Sequence, residues 1–295
     1  MQIAKKLIYD NLSPLYSKNE IESISKLIFE KVLGLSRLQM HLNQHETIST
    51  ANLAQITEII NHLIRFEPIQ YILGETEFYG LPFKVNSSVL IPRPETEELV
   101  DLIIHDCKQS NPKILDIGTG SGCIPITLVK NLPGASAEGW DISDEALVVA
   151  KENATINHVE VDFFRADVLK HDYPLQNHKY DLIVSNPPYV TISEQLSMIK
   201  NVVDYEPHIA LFVSDADPLV FYRAIANLAL IKLKPGGKLY FEINEKFGNE
   251  TAELLALRGF INITLKKDIN GKERMIRAEF ENQLTPICRS EHKQL

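Results

Sequence analysis

From Glu95 onward the chain alternates short apolar runs with stretches of helical periodicity, and that alternation leaves few folds open. Helical patterns at Glu97 to Cys107, Ile124 to Lys130, Asp144 to Asn157 and Leu219 to Ile231 take turns with strand patterns at Lys113 to Ile117, Ser136 to Asp141, Asp162 to Arg165, Asp181 to Ser185 and Lys238 to Ile243. Ile261 to Lys267 and Arg274 to Phe280 read as a closing pair of strands. Strands separated by helices need crossover connections and run parallel, whereas two successive strands joined by a short turn run antiparallel. The sequence therefore predicts an α/β fold: a doubly wound, mostly parallel sheet with a late antiparallel edge.

The chain before that point reads differently. Ile21, Ile24, Leu27, Ile28 and Val32 recur at helical spacing between Asn19, a candidate N-cap, and Gly34, a stop. A second helix is expected from about Ser49, with Leu53, Ile56, Ile60, Leu63 and Ile64 on one face and its end before Pro68. Phe78, Tyr79, Phe83, Val85, Val89, Leu90 and Ile91 then gather around Gly80-Leu81-Pro82 and Asn86-Ser87-Ser88, the pattern of a hairpin. The expected organisation is a small all-helical domain over 1–75, a β-hairpin linker over 76–93, a large α/β domain over 94–282 and a disordered tail over 283–295.

Composition narrows the class of partner. Of 295 residues 44% are hydrophobic, enough for a sizeable core, yet no apolar run approaches the roughly 20 residues of a membrane span and no secretory signal is recognisable. The expected location is the cytoplasm. Cys107, Cys123 and Cys288 lack metal-ligand spacing and a disulfide framework, so reduced thiols and no metal are expected. A formal net charge of -9 argues against a protein whose affinity comes from neutralising nucleic-acid phosphates. Neither direct nucleic-acid binding nor a membrane contact is expected, and the expected state is a monomer.

Leu115-Asp116-Ile117-Gly118-Thr119-Gly120-Ser121-Gly122 stands where the first strand gives way to a helix. Glycines there let the backbone turn tightly and a ligand approach without interference from Cβ atoms. The dinucleotide fingerprint would require its third glycine at Cys123, so the spacing departs from it, and taken alone the loop would equally suit a tight βα connection. Asp141 ends the second strand about 20 residues on, the distance at which a carboxylate accepts both hydroxyls of a ribose. Asp167 follows the third strand. Ligands of open α/β sheets bind beyond the carboxyl ends of the strands, so Asp116, the glycines, Asp141, Asp167 and Asn186 are expected around one crevice. Each aspartate alone would serve equally well as a cap or turn residue.

Asn186-Pro187-Pro188-Tyr189 directly follows the fourth strand. An Asn side-chain oxygen and the carbonyl of the next residue can accept both hydrogens of a planar NH2 group, while an aromatic ring covers its face. Two prolines with fixed φ hold those acceptors still. The motif fits an amino group conjugated to a π system, such as adenine N6 or a carboxamide.

Together these stretches resemble the peptide chain release factor glutamine methyltransferase family. The likeness runs from about residue 65 to 281 and rests on Glu67 to Gly74, the glycine loop, Asn186 to Tyr189, Glu206-Pro207 with Ala210-Leu211, and above all Leu90-Ile91-Pro92-Arg93-Pro94-Glu95-Thr96-Glu97, which DNA adenine methyltransferases lack. The resemblance implies a class I methyltransferase fold with a seven-stranded Rossmann-like sheet. It also implies S-adenosyl-L-methionine (AdoMet) as cofactor and, as substrate, the Gly-Gly-Gln glutamine of class I peptide chain release factors, docked by the N-terminal helices. Carried over by position, Gly118, Thr119, Gly120, Ser121 and Gly122 cradle the methionine part, Asp141 the ribose, and Asp167 with Val168 the adenine. Asn186, Pro187, Pro188 and Tyr189 hold the glutamine amide, with Asn186, Pro187 and Tyr189 as the catalytic group and Asn186 also beside the cofactor. Members often carry an aromatic residue at the place of Val168 and glycines at Val213 to Pro218. Glu206-Pro207 reads as a turn and is not expected to be a base. The alternatives are an adenine N6-methyltransferase acting on nucleic acid and a nucleotide-binding regulatory module without catalysis.

Overall fold

A computed structural model describes residues 1–35, 37–42, 47–174 and 178–281. Its first part is helical: α1 (Gln2–Leu12), α2 (Lys18–Leu33), α3 (Arg37–Leu42), α4 (Thr50–Leu63) and α5 (Ile69–Leu73). The N-cap of α2 is Ser17, two residues before the expected Asn19. Ser17 and Glu20 bond each other's backbone amides reciprocally, at 2.8 and 3.4 Å, which satisfies two orphan donors at once, whereas Asn19 lies inside the first turn. Gly34 stops the helix in the left-handed region at φ 64, its amide donating to Glu30. Ser49 caps α4 as expected, but Ile59 rather than Ile64 completes the buried face, and Ile64 is exposed. Ile21, Ile24 and Ile28 of α2, Ile56, Ile60 and Leu63 of α4, and Ala4, Ile8 and Leu12 of α1 share one core. The sequence reading missed α1 because its buried stripe is only one residue wide.

β1 (Glu75–Phe78) and β2 (Leu81–Lys84) form the hairpin. Tyr79 and Gly80, at φ 51 and 74, make the two-residue turn whose left-handed geometry suits the twist of paired strands. Val89, Leu90 and Ile91 are not part of it; they run on as a segment without regular structure.

The large sheet has the order β10-β11-β9-β6-β3-β4-β5, where β3 is Lys113–Ile117, β4 Ser136–Asp141, β5 Asp162–Arg165, β6 Tyr180–Ser185, β9 Leu233–Glu242, β10 Phe260–Lys267 and β11 Glu273–Phe280. The pairs from β5 across to β9 are parallel, and β11 is antiparallel to both its neighbours. Two-residue strands β7 (Val190–Thr191) and β8 (Phe212–Val213) pair separately. Adjacent residues of one strand serve opposite cores, as a period of two requires. Leu115, Ile183 and Phe241 face Tyr222, Ile225 and Ala229 of α11 (Val220–Lys232), while Ile114, Leu182 and Tyr240 face Leu99 and Ile103 of α6 (Pro94–Asp106) and Ile126 of α7 (Cys123–Asn131). Both faces are covered, which is why these strands read as continuous apolar runs.

α8 (Asp144–Ile156) packs beside α7, and α9 (Lys200–Tyr205) and α10 (His208–Leu211) are short. α12 (Gly248–Ala256), unexpected from sequence, covers β10. Chain order runs outward from β3 through β4 to β5, then returns to the other side of β3 at β6, so the order reverses between β3 and β6. Among the described residues no helix is long and apolar enough to cross a membrane. Cys107 and Cys123 are free thiols; Cys288 and the expected disordered tail lie outside the described residues.

Candidate active site

A cavity of about 340 Å³ opens at the carboxyl ends of the parallel strands, over that reversal of strand order. Its floor is built by cross-links between neighbouring strand ends. Ser185 Oγ donates to the Ile117 carbonyl at 2.5 Å, tying β6 to β3, and the amides of Gly118 and Thr119 both donate to the Trp140 carbonyl, at 2.8 and 3.0 Å, tying β3 to β4. Gly118, Gly120 and Gly122 have φ of 74, 52 and 78, a region that favours glycine. They differ in what surrounds them. A Cβ on Gly122 would meet Ile126, Ala150 and Phe163 at 3.0 to 3.2 Å, whereas one on Gly120 would meet nothing within 4 Å. Gly122 is thus required for packing, and Gly120 presents bare backbone to open space.

Three carboxylates stand behind or beside this loop. Asp116 is fully buried, and only the weakly placed Thr119 hydroxyl favours its charged form, with no hydrogen bond of ordinary geometry among the described residues. Burial pushes its carboxyl up to about 7, the Thr119 hydroxyl opposing the shift and the charge of Asp141 adding to it. Asp141 bridges two loops, Oδ2 accepting from the Gly120 amide at 2.8 Å and Oδ1 from the Ser143 amide at 3.0 Å. Burial raises its carboxyl also, against the pull of those amides. Asp167 caps its own turn, accepting from the amides of Leu169 and Lys170 and pairing with the Lys170 ammonium at 3.1 Å. Burial opposes the shift, but the Lys170 interactions prevail and hold Asp167 below the usual carboxylate range.

Asn186 Nδ2 donates to Thr96 Oγ1 at 3.1 Å, and Thr96 Oγ1 donates to Glu242 Oε2 at 2.6 Å. The other oxygen of Glu242 accepts from the Tyr189 hydroxyl at 2.9 Å. With its amino end engaged, Asn186 keeps its side-chain oxygen as the end available to a donor in the cavity that it lines. Burial raises the Glu242 carboxyl, and it raises the Tyr189 hydroxyl too, with the Glu242 charge adding to the latter.

The Leu90 to Glu97 segment forms one wall through Leu90, Pro92, Arg93 and Thr96. It is fastened to the far wall by Glu206, which is buried and accepts from Arg93 Nη2 at 2.6 Å and the Ile91 amide at 3.2 Å. Both Glu206 oxygens are thereby occupied, consistent with a structural role and not that of a base. Glu206 also ends α9, whose Tyr205 hydroxyl reaches the Arg65 carbonyl at 2.8 Å and whose Lys200 ammonium sits 5.6 Å from the Phe66 ring centroid.

Residues 96–206 match the model of the methyltransferase small domain and residues 12–74 that of the PrmC N-terminal domain. A release factor glutamine methyltransferase of Flavobacterium psychrophilum is 49% identical over 91% of this chain and 95% of its own length. The chain belongs to the release factor glutamine methyltransferase family. A second family member, from Bacteroides thetaiotaomicron, is 46% identical over 92% of this chain and 97% of its own. At the level of fold, the 16S rRNA N2 G1207 methyltransferase of T. Thermophilus, solved in complex with AdoMet and guanosine, superposes with a TM-score of 0.51 at 18% identity, covering 70% of this chain and 50% of that one.

For this family member, Gly118, Thr119, Gly120, Ser121, Asp141, Asp167, Val168, Asn186, Pro187 and Pro188 line one cavity, whereas Asp116 and Gly122, expected there too, lie behind it: Asp116 is buried within β3 and Gly122 faces Ile126, Ala150 and Phe163. Tyr189 does not line it; its ring packs against the sheet core and its hydroxyl is taken by Glu242. Thr96 and Glu242 had no assigned role. The signal for Glu242 was a carboxylate closing the apolar run Leu239-Tyr240-Phe241, where an unpaired charge would be costly. Its partners lie 146 and 53 residues away in sequence, and no local pattern names them.

Proposed function

We propose that this chain transfers a methyl group from AdoMet to the side-chain amide nitrogen (N5) of the Gly-Gly-Gln glutamine in a class I peptide chain release factor. The observation that carries the reading is Asn186, held by its amino end so that an acceptor remains in the lining of the glycine-walled cavity. The residues present fit AdoMet. Gly120 offers backbone with no neighbour where a side chain would stand, and Asp141 holds a carboxylate at the loop and in the cavity lining. In the proposed assignment Gly118, Thr119, Gly120 and Ser121 hold the methionine part, with Gly122 closing the loop behind them by packing, Asp141 holds the ribose, and Asp167 with Val168 the adenine. When bound, AdoMet supplies a sulfonium methyl as electrophile.

The chain's own task is to make an amide nitrogen nucleophilic, although its lone pair is delocalised into the carbonyl. The Asn186 side-chain oxygen and the Pro187 carbonyl accept the two amide hydrogens, which shifts electron density toward nitrogen and fixes the direction of its lone pair. Pro187 and Pro188 keep both acceptors from moving, and Tyr189 backs the turn. No general base is required, because alkylation makes the N–H acidic and the proton leaves late, to water. Residues 1–75 are assigned to docking the release factor, with 76–93 as linker and 94–282 as the catalytic domain, in the cytoplasm. The test is incubation of the full chain with AdoMet and a purified class I release factor, followed by peptide mass mapping. A single added methyl on the Gly-Gly-Gln peptide is expected; an unmodified peptide alongside methylated DNA would favour the adenine alternative.

A further inference from the structure

We propose that Glu242 is a positioning residue: through the Thr96 hydroxyl it fixes which end of the Asn186 side chain faces the cavity, and with its other oxygen it holds Tyr189. The proposal rests on the reading of Asn186 as the amide grip. An asparagine side chain keeps its shape when oxygen and nitrogen change places, so packing alone does not choose between the two orientations. The choice falls to the hydrogen-bond partner. Thr96 Oγ1, 3.1 Å from Asn186 Nδ2, would by itself serve either orientation, since a hydroxyl both donates and accepts. Its single hydrogen, however, is committed to Glu242 Oε2 at 2.6 Å.

An ionised carboxylate only accepts, so Thr96 must donate to Glu242 and accept from Asn186. The amino end of Asn186 is thereby turned to Thr96 and the oxygen left for a ligand. A reversed Asn186 would meet the two donors of a substrate NH2 with two donors of its own. Glu242 is 1% exposed and stands on the last residue of β9, one strand away from the Asn186 turn after β6, so its direction is set by the sheet. The Tyr189 hydroxyl on Oε1, at 2.9 Å, makes one carboxylate the anchor for both ends of the turn. Burial raises the proton affinity of Glu242, and the bonds from Thr96 and Tyr189, with the charge of Arg274, oppose it. The contacts that orient the turn therefore also favour the ionised form on which that orientation depends.

The test compares Thr96→Val, which keeps the side-chain shape without the hydroxyl, Thr96→Ser, which keeps the hydroxyl, and Glu242→Gln, which can donate as well as accept. In the full chain with AdoMet and release factor, Thr96→Val is expected to lower kcat at least about tenfold with an unchanged dissociation constant for AdoMet, and Glu242→Gln to lower it about fivefold. Thr96→Ser should recover to within about threefold of the parent rate. Independently of substrate, the Asn186 side-chain 15NH2 signal, assigned by its loss in Asn186→Asp, should exchange slowly with solvent in the parent and in Thr96→Ser and rapidly in Thr96→Val. Parent-like kcat in Thr96→Val, equal damage in Val and Ser, or a slowly exchanging amide in Thr96→Val would overturn the proposal. If the exchange pattern holds while the parent leaves the release factor unmethylated, the functional assignment fails and the positioning of Asn186 stands.

Discussion

Gly120 and Gly122 sit two residues apart in the same loop, both at positive φ, and the structure separates their roles sharply enough to test. An alanine at Gly120 pays only for left-handed backbone, about 1 kcal/mol, because nothing lies within 4 Å of the new methyl. At Gly122 the same backbone term applies, and the methyl also meets Ile126 Cδ1 at 3.0 Å, Ala150 Cβ at 3.2 Å and Phe163 Cζ at 3.2 Å. Overpacking of that kind adds about 1–3 kcal/mol, giving roughly 2–4 kcal/mol for Gly122→Ala. Urea denaturation should therefore show a small loss for Gly120→Ala and a loss two or more times larger for Gly122→Ala. Titration calorimetry with AdoMet should rank them the other way. The Gly120 methyl projects into the space assigned to the ligand and should weaken binding at least about tenfold, whereas folded Gly122→Ala should bind within about threefold of the parent. Equal destabilisation by the two substitutions, or undisturbed AdoMet binding by Gly120→Ala, would refute the division.

Asn186→Ala should leave AdoMet affinity intact and cut methyl transfer by about 100-fold or more, measured as single-turnover label incorporation; unchanged turnover would refute the amide grip. Arg93→Ala leaves Glu206 buried without its cation and should cost about 3 kcal/mol in chemical denaturation, a loss that Arg93→Ala with Glu206→Gln should partly restore. Asp116 gives a pH signature. Its carboxyl is raised from the ordinary 3.8 to about 7 in the fold, so its ionisation disfavours the native state: the contribution is intact below about pH 3.8, falls as pH rises through 7, and is flat above. The stability of the parent relative to Asp116→Asn should accordingly decline between about pH 4 and pH 7, by at most about 1.4 kcal/mol per unit, and a difference that stays constant or grows would contradict the assignment.

The strands nearest the cavity were legible because each is a short apolar run bounded by a turn, and β3, β4 and β5 begin and end where the sequence reading put them. β9 was read too short. Lys234-Pro235-Gly236-Gly237 has the composition of a turn, yet the structure carries it as an irregularity inside the strand, with Tyr180 opposite Leu233 and Leu182 already opposite Lys238. α12 was missed because it starts on Gly248 without a side-chain cap. Asn19 and Ser17 both have cap chemistry, and the Ser-x-x-Glu spacing from Ser17 to Glu20 is what decides between them. The cavity-lining residues were legible for a topological reason: strand ends of a parallel sheet converge, so loops far apart in sequence meet without any pairwise signal. What remained hidden was polar and long-range. The contacts of Thr96 with Asn186 and Glu242, and of Arg93 with Glu206, join residues whose neighbours say nothing about one another.

Helix α9 is only six residues long, too short to be stable alone, and it is gripped at both ends. Its Lys200 and Tyr205 rest on Phe66 and Arg65 from the helical region, while its terminal Glu206 is clasped by the segment that walls the cavity. The helical region thus works as a bracket for one wall of the cavity as well as a neighbour to it. Deleting the first seventy-odd residues would not yield a smaller enzyme with an intact chemical centre, but one in which a cavity wall has lost its outer support.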